Sequence, residues 1–225
     1  NHRAAGLVAL ASWAATSAWA GLFYYVARKQ GPGEESRPYL TWPEGNGFLV
    51  DHLRRKVTGQ VRTSTAVWNL RPLEEGWEIR AWDAHWREPV GFRARKVIFA
   101  ASMAMAGRLI PAWRAERGAA FFDQFQASPW IVANLTLRSR PREEGFPTAW
   151  DNVIRESEGL GYVVATHQSL RDHGPTVWTY YHPFTGPDIR SEWMRLAAMS
   201  WEEAAQLVVT DLRSAHPELP GLITR

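Results

Sequence analysis

The stretch from Arg95 to Pro111 constrains the fold more than any other part of the sequence. Charged residues lead into an apolar run at 97–99, small residues follow at 100–102, and a helical spacing of apolar residues comes next. This pattern predicts a strand buried on both faces that feeds a helix. Ligands of open α/β sheets bind at the carboxyl ends of strands. The small residues therefore predict a place where a flat ligand approaches the backbone, and an ordinary buried strand with a tight turn is the alternative.

Length and composition exclude several classes of protein. The 225 residues, 45% of them hydrophobic, suffice for one large domain or two small ones. The net charge is +3 and the arginines are scattered, so we expect no nucleic-acid partner. The chain has no cysteine, which excludes disulfides, thiolate catalysis and zinc–thiolate sites.

The uncharged segment 4–27 is long enough to span a bilayer, but its serines, threonine and many alanines make it only mildly apolar. We therefore favour buried helices over a membrane anchor and expect a soluble, cytoplasmic protein that does not partner a membrane.

The rest of the chain alternates between strand and helix patterns. Segment 30–46 is a loop, and a helix follows whose predicted apolar face is Phe48, Leu49, His52 and Leu53. Strands at 61–70, 77–82 and 92–100, separated by turns at 71–76 and 89–91, predict an antiparallel meander. A helix at 112–120, strands at 128–137, 162–167 and 176–182, and helices at 189–199 and 200–215 complete the pattern. Ser200 and Glu203 form a capping box for the last helix.

These elements predict an α+β or α/β protein. Residues 1–39 are a helical segment and loop, 40–110 an α/β piece with its meander, and 111–225 a mixed-sheet domain flanked by helices.

Sequence motifs for phosphate, metal or serine chemistry are absent. No Gly-x-Gly-x-x-Gly, Gly-x-Ser-x-Gly, His-Glu-x-x-His or phosphate-loop motif occurs. The histidines His167, His173 and His182 have no helical i, i+4 spacing, so we expect no metal site.

Aromatic residues are dense in the second half of the chain. The alternation of residues 178–182 places Trp178, Tyr180 and His182 on one face of a strand and Tyr181 on the other. With Trp130 and Trp150 they predict a substrate pocket, and a packed aromatic core is the alternative. His167, Tyr180 and His182 are the candidate acid–base residues.

Several short motifs together resemble the flavin-dependent amine-oxidoreductase superfamily, which includes monoamine oxidases, protoporphyrinogen oxidase and phytoene desaturases. The motifs are Ser17-Ala-Trp-Ala-Gly-Leu-Phe-Tyr-Tyr, Trp42-Pro-Glu-Gly-Asn-Gly, Lys96-Val-Ile-Phe-Ala-Ala, Trp150-Asp-Asn-Val, Gly161-Tyr-Val-Val-Ala-Thr-His-Gln and Val177-Trp-Thr-Tyr-Tyr-His-Pro. Their order and spacing extend the resemblance over nearly the whole chain from about residue 17.

The resemblance implies FAD as cofactor and a two-domain flavoprotein, in which 40–110 is a partial FAD-binding, Rossmann-like domain and 111–225 the substrate-binding domain. Val61 matches the valine whose backbone lies against the adenine, and the strand end near the flavin is matched by Ala100, Ala101 and Ser102. Val132 stands where amine oxidases place a lysine. The glycine-rich FAD loop and the segment that closes over the flavin ring are absent.

We therefore expect an internal fragment of an FAD-dependent oxidoreductase that oxidises a small organic substrate by hydride transfer to flavin. The fragment alone is expected to be inactive. The alternative is a non-catalytic binding or interaction module that kept the flavoprotein fold.

Overall fold

The computed structural model describes residues 17–26, 42–143, 145, 147–155, 157–165, 171 and 173–224. Most of the apolar segment 4–27 lies outside these residues, and its described part forms helix α1, Ala18–Val26. None of the helices in the described ranges combines the length and apolar character needed to cross a bilayer.

Contacts divide the chain into two units, which we call the meander unit (51–126) and the four-strand unit (1–50 and 127–225). Helix α2, Asn46–Lys56, begins in the four-strand unit and ends in the meander unit. The helix was expected, but its predicted apolar face is not buried. The division predicted at 39/40 and 110/111 uses other bounds and stays a prediction.

The meander unit contains the three predicted strands in the predicted order. Strands β1 (Thr65–Pro72), β2 (Trp77–Asp83) and β3 (Glu88–Ala94) form one antiparallel sheet. The turn predicted at 89–91 is wrong, because those residues lie within β3 and the turn falls at 84–87. The Asp83 carboxylate accepts the backbone N–H groups of His85 and Trp86 and so fixes that turn. Pro89 is tolerated in β3 because an edge strand need not donate on its open side.

The prediction that a buried strand continues to Ala100 is wrong. Pairing between β2 and β3 stops at Trp77 and Ala94, because Gly76 already belongs to the preceding turn. Residues 95–100 have no strand partner among the described residues, and Ile98 is 93% exposed. An apolar run becomes a buried strand only where a partner strand continues beside it.

Three short helices follow: α3 (Met103–Leu109), α4 (Pro111–Arg117) and α5 (Ala119–Asp123). The single helix predicted at 112–120 is interrupted because Gly118 has a φ of 81°. Gly107 lies against Phe122 so closely that a Cβ would approach its ring to 2.5 Å. The glycine therefore allows α3 and α5 to pack together.

The four-strand unit is built on a sheet in the order β4-β7-β6-β5. Its strands are β4 (Trp130–Leu137), β5 (Asp151–Asn152), β6 (Gly161–Val164) and β7 (Thr176–Pro183). Every pair is antiparallel, so the predicted mixed sheet is wrong. Parallel pairing needs a long crossover, usually helical, and the described connections between these strands contain no helix.

Three helices complete this unit: α6 (Ile189–Ala198), α7 (Trp201–Ala215) and α8 (Leu219–Leu222). Val208 and Leu212 of α7 pack with Leu135, Trp178 and Leu219 in the core. The predicted capping box is confirmed, since Ser200 and Glu203 each accept the other's backbone N–H. The fold is therefore α+β with two antiparallel sheets. A Rossmann-like domain is not shown.

Replacing Ser200 by Ala should lower the free energy of unfolding by about 1 kcal/mol, because the first turn of α7 loses its cap. Ser200→Asp keeps an oxygen acceptor and should stay close to the unchanged protein. Urea denaturation followed by circular dichroism measures both variants. Equal losses in the two variants would show that the cap does not stabilise α7.

Candidate functional site

The described residues of the four-strand unit form a cleft of about 1240 Å³. Residues 147–149, 151–155, 157 and 158 form one wall, and one side of α7 forms the other. Tyr162 and His182 reach it from the sheet, and Asp211 and His216 from α7 and its end. The cleft thus brings together acid–base groups that are far apart in the sequence.

Strand β7 places its side chains as predicted. Trp178, Tyr180 and His182 are buried on one face, while Tyr181 on the other is partly exposed. The burial alternates because successive side chains of a strand point to opposite faces. The prediction of a common face is therefore confirmed.

A hydrogen-bond network at the floor of the cleft joins β7 to α7. The Tyr180 hydroxyl donates to Asp211 Oδ2 over 2.5 Å, and the Ser157 hydroxyl donates to the same oxygen over 2.5 Å. Ser157 Oγ in turn accepts the backbone N–H of Gly159 at 2.7 Å. A Cβ on Gly159 would lie 2.2 Å from the Tyr180 hydroxyl oxygen, so glycine is required there. Two hydroxyl groups thereby converge on one carboxylate oxygen, and the backbone of Gly159 holds one of them in place.

His182 stands beside this network. The residue is 6% exposed, and its Nδ1 lies 3.3 Å from the Tyr180 hydroxyl oxygen. Burial lowers the pKa of His182, although the carboxylates of Glu158 and Asp211 oppose the effect. The imidazole is consequently neutral at neutral pH and able to accept a proton.

Tyr180 holds its proton, whereas His182 is able to accept one. Burial, followed by its hydrogen bond to Asp211 and the negative charge of that residue, raises its pKa. The phenol therefore keeps its proton and acts as a donor to the Asp211 carboxylate. Tyr180 thus commits its one hydroxyl proton to the hydrogen bond with Asp211, and the neutral His182, which lines the cleft, lies beside it.

A second tyrosine–histidine pair lies in the same cleft. Tyr162 Oη is 2.6 Å from His216 Nε2, and its ring stacks on Trp178 with centroids 4.2 Å apart. Burial raises the pKa of Tyr162 to about 12 and lowers that of His216. The tyrosine is thus the donor of this hydrogen bond and the histidine its neutral acceptor.

Carboxylates dominate the charge of the cleft. Its lining includes Glu143, Asp151, Glu158 and Asp211 against the single cation Arg155. Desolvation raises the pKa of Asp151. No cluster of three or more metal-ligating side chains occurs among the described residues. The arrangement suits a small polar organic molecule held by hydrogen bonds and able to exchange protons with the site.

Only some of the predicted site residues lie close together in the structure. Tyr180 and His182 meet in the network, and Trp178 packs beneath Tyr162 in the core. Trp130 contacts Tyr181, on the other face of β7, and Trp150 is 44% exposed. His167 lies outside the described residues. A substrate pocket formed by Trp130, Trp150, Trp178 and Tyr180 stays a prediction, and these four are not among the described residues that line the cleft.

The four residues predicted to contact FAD lie in the meander unit. Val61 is 59% exposed, and Ala100, Ala101 and Ser102 are exposed too. These residues are accessible to solvent, and their contact with FAD stays a prediction. A dinucleotide also needs a seat for its pyrophosphate, usually a glycine-rich turn that opens a helix. Among the described residues, a turn with Gly45 opens α2 and Gly47 follows, but Val50 stands where the third glycine of a dinucleotide loop would be. A complete FAD site is not shown.

Sequence reasoning missed Asp211, Ser157 and the pair of Tyr162 with His216. One signal was available for Asp211. Asp211 follows Val208 by three positions and Leu207 by four, so it lies on the apolar side of a predicted helix. Burying an unpaired carboxylate there would destabilise the fold, which indicates that Asp211 has a hydrogen-bond partner. Ser157 had no such signal, since its partner lies 54 residues away.

Comparisons with known proteins assign no family to the chain. A scan against protein-family profiles gives no match, and a search of curated proteins finds no relative of significant similarity.

Replacing Tyr180 by Phe should lower the free energy of unfolding by about 1.5–3 kcal/mol, because the partly buried Asp211 carboxylate loses a charge-assisted donor. The matched control is Tyr181→Phe on the other face of β7, which we expect to change stability by less than about 0.5 kcal/mol. Chemical denaturation measures both. If the two changes have the same effect, the hydroxyl of Tyr180 does not stabilise the site.

Acid should destabilise the four-strand unit through its buried histidines. The folded-state pKa values of His182 and His216 lie below the ordinary 6.5, so the unfolded chain binds protons first as pH falls. Their contribution is intact above pH 6.5 and is lost as pH falls through the folded values. The free energy of unfolding of a variant with both histidines replaced by Gln should depend less on pH between about pH 7 and pH 5. An unchanged pH slope would contradict the assignment of neutral histidines.

Proposed function

We propose that the chain is part of an FAD-dependent oxidoreductase and that the cleft of its four-strand unit holds the small organic substrate. The observation that carries the substrate role is the network of Tyr180, Asp211 and Ser157 beside the buried His182. The flavin role is supported by the resemblance of the sequence to flavin-dependent amine oxidoreductases.

The side chains of the cleft supply positioning and proton transfer. His182 is a neutral acceptor at the floor of the cleft, and Asp211 orients the Tyr180 hydroxyl beside it. A substrate O–H or N–H that enters the cleft meets acceptors on both walls. The low polarity around the buried rings strengthens each of these hydrogen bonds. These groups bind and orient a polar substrate, and His182 is the residue suited to take its proton.

A non-catalytic binding module is the second candidate. It is favoured by the position of the polar network of Tyr180, Ser157 and Asp211, which lies wholly in the four-strand unit, whereas the residues predicted to contact FAD lie in the meander unit. Such a module would bind the same kind of polar molecule in the same cleft and would transfer no hydride.

The two candidate functions predict different results when FAD is added to the chain. For the oxidoreductase we expect weak, saturable quenching of FAD fluorescence by the 225-residue chain, without stoichiometric flavin retention after gel filtration. Ala101→Trp should weaken this binding, because the indole fills the exposed segment 100–102 that the flavin would approach.

Ala112→Trp is the matched control, since Ala112 is also exposed in the meander unit but lies on α4. Its FAD titration should match that of the unchanged chain. Quenching that never saturates, or that Ala101→Trp leaves unchanged, would contradict the flavoprotein proposal and favour the binding module. A yellow chain with full flavin content would instead show that the pyrophosphate is held by residues outside the described part.

A further inference from the structure

The hydrogen bonds of Tyr180 determine which ring nitrogen of His182 carries its proton. The tyrosine has one hydroxyl proton, and it goes to Asp211 Oδ2 at 2.5 Å, because a bond to a carboxylate is stronger than one to a neutral nitrogen. In the 3.3 Å contact between the Tyr180 oxygen and His182 Nδ1, the histidine is therefore the donor. A neutral imidazole has a single N–H, so Nε2 keeps a free lone pair.

This second ring nitrogen is enclosed but unpaired. His182 Nε2 has no hydrogen-bond partner among the residues that the structure describes. The side chain is 94% buried, since its exposure is 6%, yet it lines the cleft and Nε2 itself stays in contact with solvent. Acceptors enclosed to this degree are normally hydrogen-bonded. The cleft therefore presents a lone pair that a donor on a ligand can satisfy.

The charges around His182 lie on three segments of the chain. Glu158 precedes β6, Asp211 lies on α7, and Glu192 and Arg195 lie on α6. Asp211 is already bonded by two hydroxyls, Glu192 lies 3.6 Å from Arg195, and Glu158 is exposed to water. A cation at Nε2 would lose its own water and meet carboxylates that are already bonded or solvated, whereas a neutral donor has no such cost.

We propose that His182 Nε2 binds the hydroxyl group of an alcohol, and that Tyr180 and Asp211 are positioning residues that hold the imidazole proton on Nδ1. A hydroxyl satisfies the lone pair without bringing a charge to the floor of the cleft. A protonated amine is directed instead to the exposed carboxylates of the cleft, Asp151 and Glu158, and an anion is repelled by them. The inference names the substrate class for the site of the proposed function and rests on that function, but it requires no flavin.

Nitrogen-15 NMR of the full chain tests the position of the proton, because protonated and unprotonated ring nitrogens have separate chemical shifts. His182→Gln identifies the signals of this residue by their disappearance. In the unchanged chain we expect the proton on Nδ1. Tyr180→Phe removes the acceptor of that proton and should move it to Nε2. Tyr181→Phe, the matched control on the other face of β7, should leave it on Nδ1.

Three probes of similar shape test the class of ligand. Cyclohexanol, cyclohexylamine and cyclohexanecarboxylate carry a hydroxyl, an ammonium and a carboxylate at neutral pH. Cyclohexanol should shift the Nε2 signal of His182 and saturate, and the other two should leave that signal in place. Tyr180→Phe should weaken the binding of cyclohexanol by about tenfold, the effect of losing one hydrogen bond, because a protonated Nε2 cannot accept.

Three results would overturn the inference: a proton on Nε2 in the unchanged chain, an Nε2 signal that cyclohexanol does not move, or an equal shift with the amine or the carboxylate. Circular dichroism checks that each variant is folded. If Tyr180→Phe unfolds, the tautomer and the three titrations of the unchanged chain decide the question. None of these measurements involves flavin, so a failure to bind FAD would overturn the oxidoreductase proposal alone.

Discussion

The bond between the Tyr180 hydroxyl and the Asp211 carboxylate is the contact on which the candidate site depends. It joins the middle of a buried strand to the helix that covers it, and Ser157 brings the loop before β6 to the same oxygen. A carboxylate in this position is stable only because several donors surround it. The same bonds that offset its desolvation hold the strand, the loop and the helix at the spacing that leaves the cleft open.

The neighbouring pair of Tyr162 and His216 is arranged in the same way five residues after Asp211, where α7 ends at His216. Both pairs set a protonated phenol against a neutral imidazole, and both are backed by the aromatic core around Trp178. The polar side of the cleft therefore rests on the apolar core and is not a separate layer. This dependence links stability to acid–base chemistry, because a change in the protonation of either histidine disturbs the packing beneath it.

Local sequence patterns correctly predicted the structural features that depend only on residues close together in the chain. The alternation along β7 and the capping box at Ser200 were both correct, because each is fixed within a few positions of the chain. The extension of a strand to Ala100 failed because strand formation depends on a partner, and β2 provides none beyond Trp77. Asp211 and Ser157 were not predicted for a related reason. They are 54 residues apart in the sequence and come into contact only in the folded chain.

The edges of the meander sheet bear on how copies of the chain can associate. Pro89 interrupts the donors along the open side of β3, while the bulge of β1 and its terminal Pro72 do the same on the opposite side. Strands bordered in this way are poor templates for adding further strands, so continuous growth into fibrils is blocked at both margins. The three-strand sheet is therefore protected at both edges against the addition of strands from another chain.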